Sequence, residues 1–201
     1  GKLALQNNTT ATDQVAIGHE ALDAATTGSE NTAVGKSALS ALTEGVQNTA
    51  LGGYTLLADT TGSRNVSIGY QSMIANTTGH GNVAIGQCAL NANTDQNDSV
   101  AIGHCALDAN TCPNQTAVGA YALQLNTTGT NNVAVGMGSL DANTTGDSNV
   151  AVGGQSLGAN TTADNNTAVG YQSLDANTTG TPNLALGTSA LQKNTTAADN
   201  V

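Results

Sequence analysis

One glycine, returning on a fixed beat, restricts what this chain can fold into more than any other feature. It follows an Ala-aliphatic or Ser-aliphatic pair at Gly18, Gly35, Gly52, Gly69, Gly86, Gly103, Gly119, Gly136, Gly153, Gly170 and Gly187, and Gly1 holds the same place. The step is 17 residues throughout, except from Gly103 to Gly119, where it is 16. A unit this short cannot bury a core alone and is stable only when stacked on copies of itself. The period therefore predicts an all-β fold, a parallel β-solenoid or β-roll of about 12 coils. Residues 1–201 read as a single repeat solenoid, with an irregular coil near 111–115 where Pro113 and the missing residue predict a kink or bulge.

Each unit can be read position by position. The residue before the glycine is always aliphatic, as in Ile17, Val34, Leu51 and Ile68. Two places earlier stands Val, Thr or Leu, and between them Ala, with Ser67 the one exception. That alternation predicts a short strand with its aliphatic side chains facing inward and its alanines outward. A uniformly small outer face implies close approach by something else, such as a sister chain. After the glycine comes a second apolar column, Leu22 through Leu174 and Leu191, with Met73 as its one variant. Leu174, Ala176 and Thr178 share one parity, as a second inward-facing strand requires. Ala-Leu-x-Ala also fits a single helical turn, though one too short to stand alone. Asn177-Thr178-Thr179-Gly180 closes the unit, its Gly permitting positive φ and its Asn either doing the same or stacking amides in a ladder.

Composition excludes several classes. Aromatic residues make up 2% of the chain, with no Trp or Phe, which argues against a ring-filled globular core. Periodic aliphatic columns argue against disorder. The net charge is −10, with Lys2, Lys36, Arg64 and Lys193 the only bases. Nucleic acid and anionic membrane surfaces are therefore not expected as partners. The sequence has no apolar run of membrane-spanning length and no signal peptide. Since Gly1 already occupies the repeat's glycine place, the expectation is a piece of a longer fibre, or a subunit that stacks end to end.

Chemistry leaves few traces. His19, His80 and His104 are scattered, and no nucleophile–base pair or phosphate loop emerges, so no catalytic, cofactor or metal residue is assigned and no enzyme is expected. Asp141 and Asp175 do not even fall in adjacent coils. Cys88 and Cys105 occupy equivalent places in successive coils, where a disulfide is permitted but not required; Cys112 has no counterpart. Asn-x-Thr sequons at Asn76, Asn126, Asn143, Asn160, Asn177 and Asn194 are a by-product of the repeat. The threonine column from Thr9 to Thr195 raises ice binding as an alternative. Its inward parity and the breaks at Glu44, Asp95 and Cys112 in the neighbouring column weigh against that.

The run Asn82-Val83-Ala84-Ile85-Gly86, with Ala89 after it, resembles the head repeat of trimeric autotransporter adhesins. The fuller unit from Asn166 to Gly180 resembles repeats of bacteriophage tail-fibre-type proteins. The resemblance covers essentially the whole chain and implies a left-handed parallel β-roll with three chains side by side. Adhesin coils are typically shorter than these, the extra length falling in Leu-x-Ala-Asn-Thr-Thr. The implied function is a fibre shaft or adhesin segment, extracellular, on a virion or cell surface. Implied partners are the chain itself, as homotrimer or end-to-end filament, and a cell-surface glycan or receptor. Outward positions such as Tyr70, Tyr171, His104 and Met137 are where such a ligand would be met.

Overall fold

A computed structural model describes residues 1–201. The chain divides into two compact units, Gly1–Ser99 and Val100–Val201. Each is a parallel β-solenoid without helix. The first carries β1 (Val15–Ile17), β2 (Thr32–Val34), β3 (Thr49–Leu51), β4 (Val66–Ile68) and β5 (Val83–Ile85). The second carries β6 (Val100–Ile102), β7 (Thr116–Val118), β8 (Val133–Val135), β9 (Val150–Val152), β10 (Thr167–Val169) and β11 (Leu184–Leu186). Within each unit every strand pairs in parallel with its counterpart one coil on, Val15 opposite Thr32 and Val133 opposite Val150. Since one residue of slip would turn every side chain over, this register stacks equivalent residues in columns. The shortened coil keeps it too, with Val100 opposite Thr116. Its missing residue is absorbed at the corner, not in the sheet.

The structure reverses the expected facing of the strands. Ala33, Ala50, Ala84, Ala101 and their equivalents are buried, except Ala16 in the first strand, which is half-buried, whereas Ile17 is 59% exposed and the other flanking aliphatics are exposed or half-buried. The reason lies across the interior. Ser67, the exception in the alanine column, meets Thr55, the one threonine in the column of small residues three places after the glycine. The Thr55 hydroxyl donates to Ser67 Oγ at 2.6 Å, and Ser67 Oγ donates to the Ser72 carbonyl at 3.1 Å. Ser72, in the same small-residue column, donates to the Ala84 carbonyl at 3.2 Å. The coil is so thin that its two walls touch, and the strand's inward place holds only Ala or Ser, with the larger flanking aliphatics turned outward. The close neighbour that the alanines imply is the other wall of their own coil.

The segment after the glycine is neither strand nor helix. Gln172 and Leu174 have φ of 54° and 50°, separated by a residue of ordinary φ, and the same alternation recurs at Cys105 and Leu107. It turns adjacent side chains to the same side, so Ser173 and Leu174 are both fully buried, as no strand allows. The amides point alternately to the two neighbouring coils: Gln172 N donates to the Gly154 carbonyl at 3.0 Å, and Leu174 N to the Ala190 carbonyl at 2.9 Å. A left-handed conformation costs a leucine about 1–2 kcal/mol. Full burial of its side chain returns about 1.5–3 kcal/mol, so the trade is favourable. Thr178 is half-buried, not inward, and its hydroxyl donates to the Thr195 carbonyl at 3.1 Å.

Two columns of buried amides complete the interior. Four places before the glycine, Asn48 donates its backbone amide and Nδ2 to Asn31 Oδ1, at 2.9 and 3.1 Å, and Nδ2 also to the Gly62 carbonyl at 2.8 Å. Seven places after the glycine, Asn143 Nδ2 donates to Asn126 Oδ1 at 2.8 Å and to the Gly146 carbonyl at 3.0 Å. A buried amide without partners would be costly, but here the stacking itself supplies them.

Candidate interaction surface

With the alanines turned inward, each solenoid presents its flanking residues to solvent. One outward column runs Val15, Thr32, Thr49, Val66, Val83 in the first unit; the other runs Ile17, Val34, Leu51, Ile68, Ile85. The second unit repeats them, from Val100 and Ile102 to Leu184 and Leu186. Both columns hold only Val, Ile, Leu and Thr, on a chain with 14 acidic residues. The result is a strip of aliphatic and threonine side chains, exposed or half-buried, with no charge along it. The alternation disclosed both faces, but not that this one is outside.

The residues singled out for chemistry go elsewhere. His19 is exposed beside Glu20, at 3.4 Å. His80 Nδ1 accepts the Ser63 amide at 2.9 Å, so this imidazole acts as a main-chain acceptor between coils. His104 packs edge-on against Tyr121, ring centroids 5.1 Å apart. No three His, Cys, Asp or Glu side chains converge as a metal site would require. Asp141 and Asp175 are nevertheless closer than their spacing suggests, because Gly158 between them has no side chain. A Cβ there would lie 2.9 Å from Asp175 Oδ1 and 3.7 Å from Asp141 Oδ1. Burial pushes the Asp141 carboxyl above the usual range; backbone amides at Ala142 and Asp141 oppose this, and the charge of Asp175 adds to it.

Cys112 turns out to replace the corner glycine. Its carbonyl accepts Asn110 Nδ2 at 2.6 Å, the bond that the glycine carbonyl receives in other coils, and its buried thiol donates to the Gly129 carbonyl at 2.8 Å. Burial raises its pKa above the ordinary thiol value. Cys88 lies in the first unit and Cys105 in the second, both half-buried. Asn76, Asn126, Asn143, Asn160 and Asn177 are fully buried rungs of the amide ladder, so the folded chain withholds the nitrogen that glycosylation needs. Tyr70, His104, Met137 and Tyr171 are all exposed at the position just after the glycine. No protein-family model, no curated protein and no solved structure matches this chain.

Proposed function

We propose that this chain is a structural, non-enzymatic segment of an extracellular fibre on a virion or cell surface. In this reading its copies associate through the outward strand face, as homotrimers of left-handed coils. The observation that carries it is the pair of uncharged columns flanking the buried alanines. Trimer and handedness rest on the likeness of the repeat to adhesin and tail-fibre units. Mechanically, the amide ladders and strand ladders give a stiff spacer, and each added coil lengthens it and widens the apolar strip together. Against ice binding stands the threonine column, whose hydroxyls, such as Thr43 on the Thr60 carbonyl at 3.0 Å, are already spent on the main chain. A thermal-hysteresis measurement separates that alternative.

Light scattering tests the reading. Association predicts a mass of three times 19.8 kDa. Ile68→Asp with Val152→Asp, both outward, should return the monomer with an unchanged circular dichroism spectrum. A parent chain that stays monomeric at the highest attainable concentration refutes it. Electron microscopy of the same sample distinguishes discrete rods, expected of a spacer, from indefinite threads, expected of an end-to-end filament.

A further inference from the structure

All four tyrosines, the only benzene rings in the chain, occupy two of the 17 positions in the repeat: Tyr70 and Tyr171 directly after the glycine, Tyr54 and Tyr121 one place later. These two columns are also among the most variable. The structure shows why the two leading tyrosines stand where they do. Each is preceded, one coil earlier in the same column, by a glycine, Gly53 or Gly154, and no other unit has glycine at that place. A Cβ on Gly53 would lie 3.5 Å from Tyr70 Cδ2, and one on Gly154 would lie 3.5 Å from Tyr171 Cδ2. Each ring therefore rests its Cδ2–Cε2 side against bare glycine, and the residue stays 49% exposed at Tyr70 and 54% at Tyr171. A long side chain precedes each glycine by one more coil, Lys36 in the first unit and Met137 in the second. The same three-residue arrangement is thus built once in each unit.

Polar groups fringe both rings. At Tyr70 the Tyr54 ring stands at 89°, centroids 5.9 Å apart, with the Lys36 ammonium 5.1 Å from the Tyr54 centroid. At Tyr171 the hydroxyl donates to Gln155 Oε1 at 3.4 Å, and Gln172 Nε2 donates to the same oxygen at 3.0 Å. An aromatic face open to water, edged by amides, hydroxyls and an ammonium, matches a hexopyranose ring, which has one face of C–H groups and a rim of hydroxyls. The geometry points to neutral hexose glycans as ligands, one sugar ring stacking on Tyr70 and another on Tyr171. A peptide side chain is a poorer fit, because an exposed ring beside bare glycine offers a platform and no socket. Acidic polymers are disfavoured by the net charge of −10. Tyr70 and Tyr171 follow the outward strand columns by two residues and are not members of them.

Saturation-transfer NMR on the intact 201-residue chain tests it, with cellohexaose and a β-galactohexaose as probes and a proline-rich peptide as the competing class. The expected result is transfer to the C–H protons of one sugar face, with at least one hexasaccharide. Tyr70→Ala combined with Tyr171→Ala should then weaken binding by tenfold or more, an effect in the range of one lost stacking contact. Both side chains are exposed, so the circular dichroism spectrum should not change. Phe at both positions should restore stacking, whereas a merely structural hydroxyl would not be rescued. Failure of both hexasaccharides, undiminished binding by the double alanine variant, or binding of the peptide alone would overturn the inference.

Discussion

Asp59→Asn should stabilise this protein at neutral and alkaline pH and do much less in acid. Asp59 stands in the amide column seven places after the glycine, where the preceding coils carry Ala25 and Leu42 and the following ones Asn76 and Asn93. It is fully buried. Oδ1 accepts the Gly62 amide at 2.7 Å and Oδ2 accepts Asn76 Nδ2 at 3.1 Å. Its carboxylate has no proton for the Gly62 carbonyl, although every later asparagine in the column donates to the equivalent carbonyl. Burial pushes its pKa from 3.8 up to about 7, the Gly62 and Asn76 bonds opposing without prevailing. Because the folded value lies above the unfolded one, folding favours the protonated acid. This contribution is full below about pH 4 and is lost as pH rises through about 7.

A displacement of about three pH units corresponds to about 4 kcal/mol between the two ends of that window. Asparagine abolishes the titration and adds the missing bond, about 1 kcal/mol more. At pH 8 the variant should therefore exceed the parent by on the order of 3–5 kcal/mol, and at pH 4 by about 1 kcal/mol or less. A stack of coils can open locally, so the sharper readout is hydrogen exchange at the Gly62 and Asn76 amides, with urea unfolding at both pH values beside it. Equal protection of parent and variant at pH 8, or a parent that gains stability from pH 4 to 8 while the variant does not, would rule out a buried Asp59 carboxyl that folding holds protonated.

Other perturbations probe the remaining parts of the coil. Leu107→Ala empties a fully buried site and should cost about 2–5 kcal/mol, read from the urea midpoint. Asn143→Ala removes a ladder rung, so Asn160 Nδ2 loses its 2.9 Å acceptor on the preceding coil and keeps only the Ala163 carbonyl; each buried polar group left without a partner costs about 1–3 kcal/mol, and thermal unfolding should shift accordingly. The Cys112 thiol, buried and hydrogen-bonded, should resist alkylation in the folded chain and react on unfolding, as peptide mass mapping would show.

Much of this architecture was legible in the one-dimensional pattern because a solenoid repeats its local rules. The glycine period gives the coil, the Val-Ala-Ile alternation gives a strand, and stacking like on like gives the parallel register. The asparagine at the corner suggested an amide ladder, and Asn76, Asn143 and Asn177 form one. Less could be read where chemistry depends on neighbours distant in sequence. Asp141 and Asp175 interact only because Gly158 opens a gap between them. The tyrosine platforms need Gly53 and Gly154, each 17 residues upstream, and are visible only once coils are stacked. The leucine column misled for a different reason. Its parity fits a strand, yet positive φ at Leu174 and its equivalents turns neighbouring residues to one side, and no periodicity argument anticipates a bulky residue there.

The chain's own letters determined the repeat, the strand positions and the identity of every column, since these follow from spacing alone. Tertiary structure decided which face of the strand is inside. Period-two alternation is symmetric between its two faces, and hydrophobicity alone favours burying Ile over Ala. The distance between the two walls of the coil breaks that symmetry. Where Ser67 and Thr55 touch across the interior at 2.6 Å, the strand's inward place is held by Ser, and by Ala in the other coils, and the larger aliphatics are left outside.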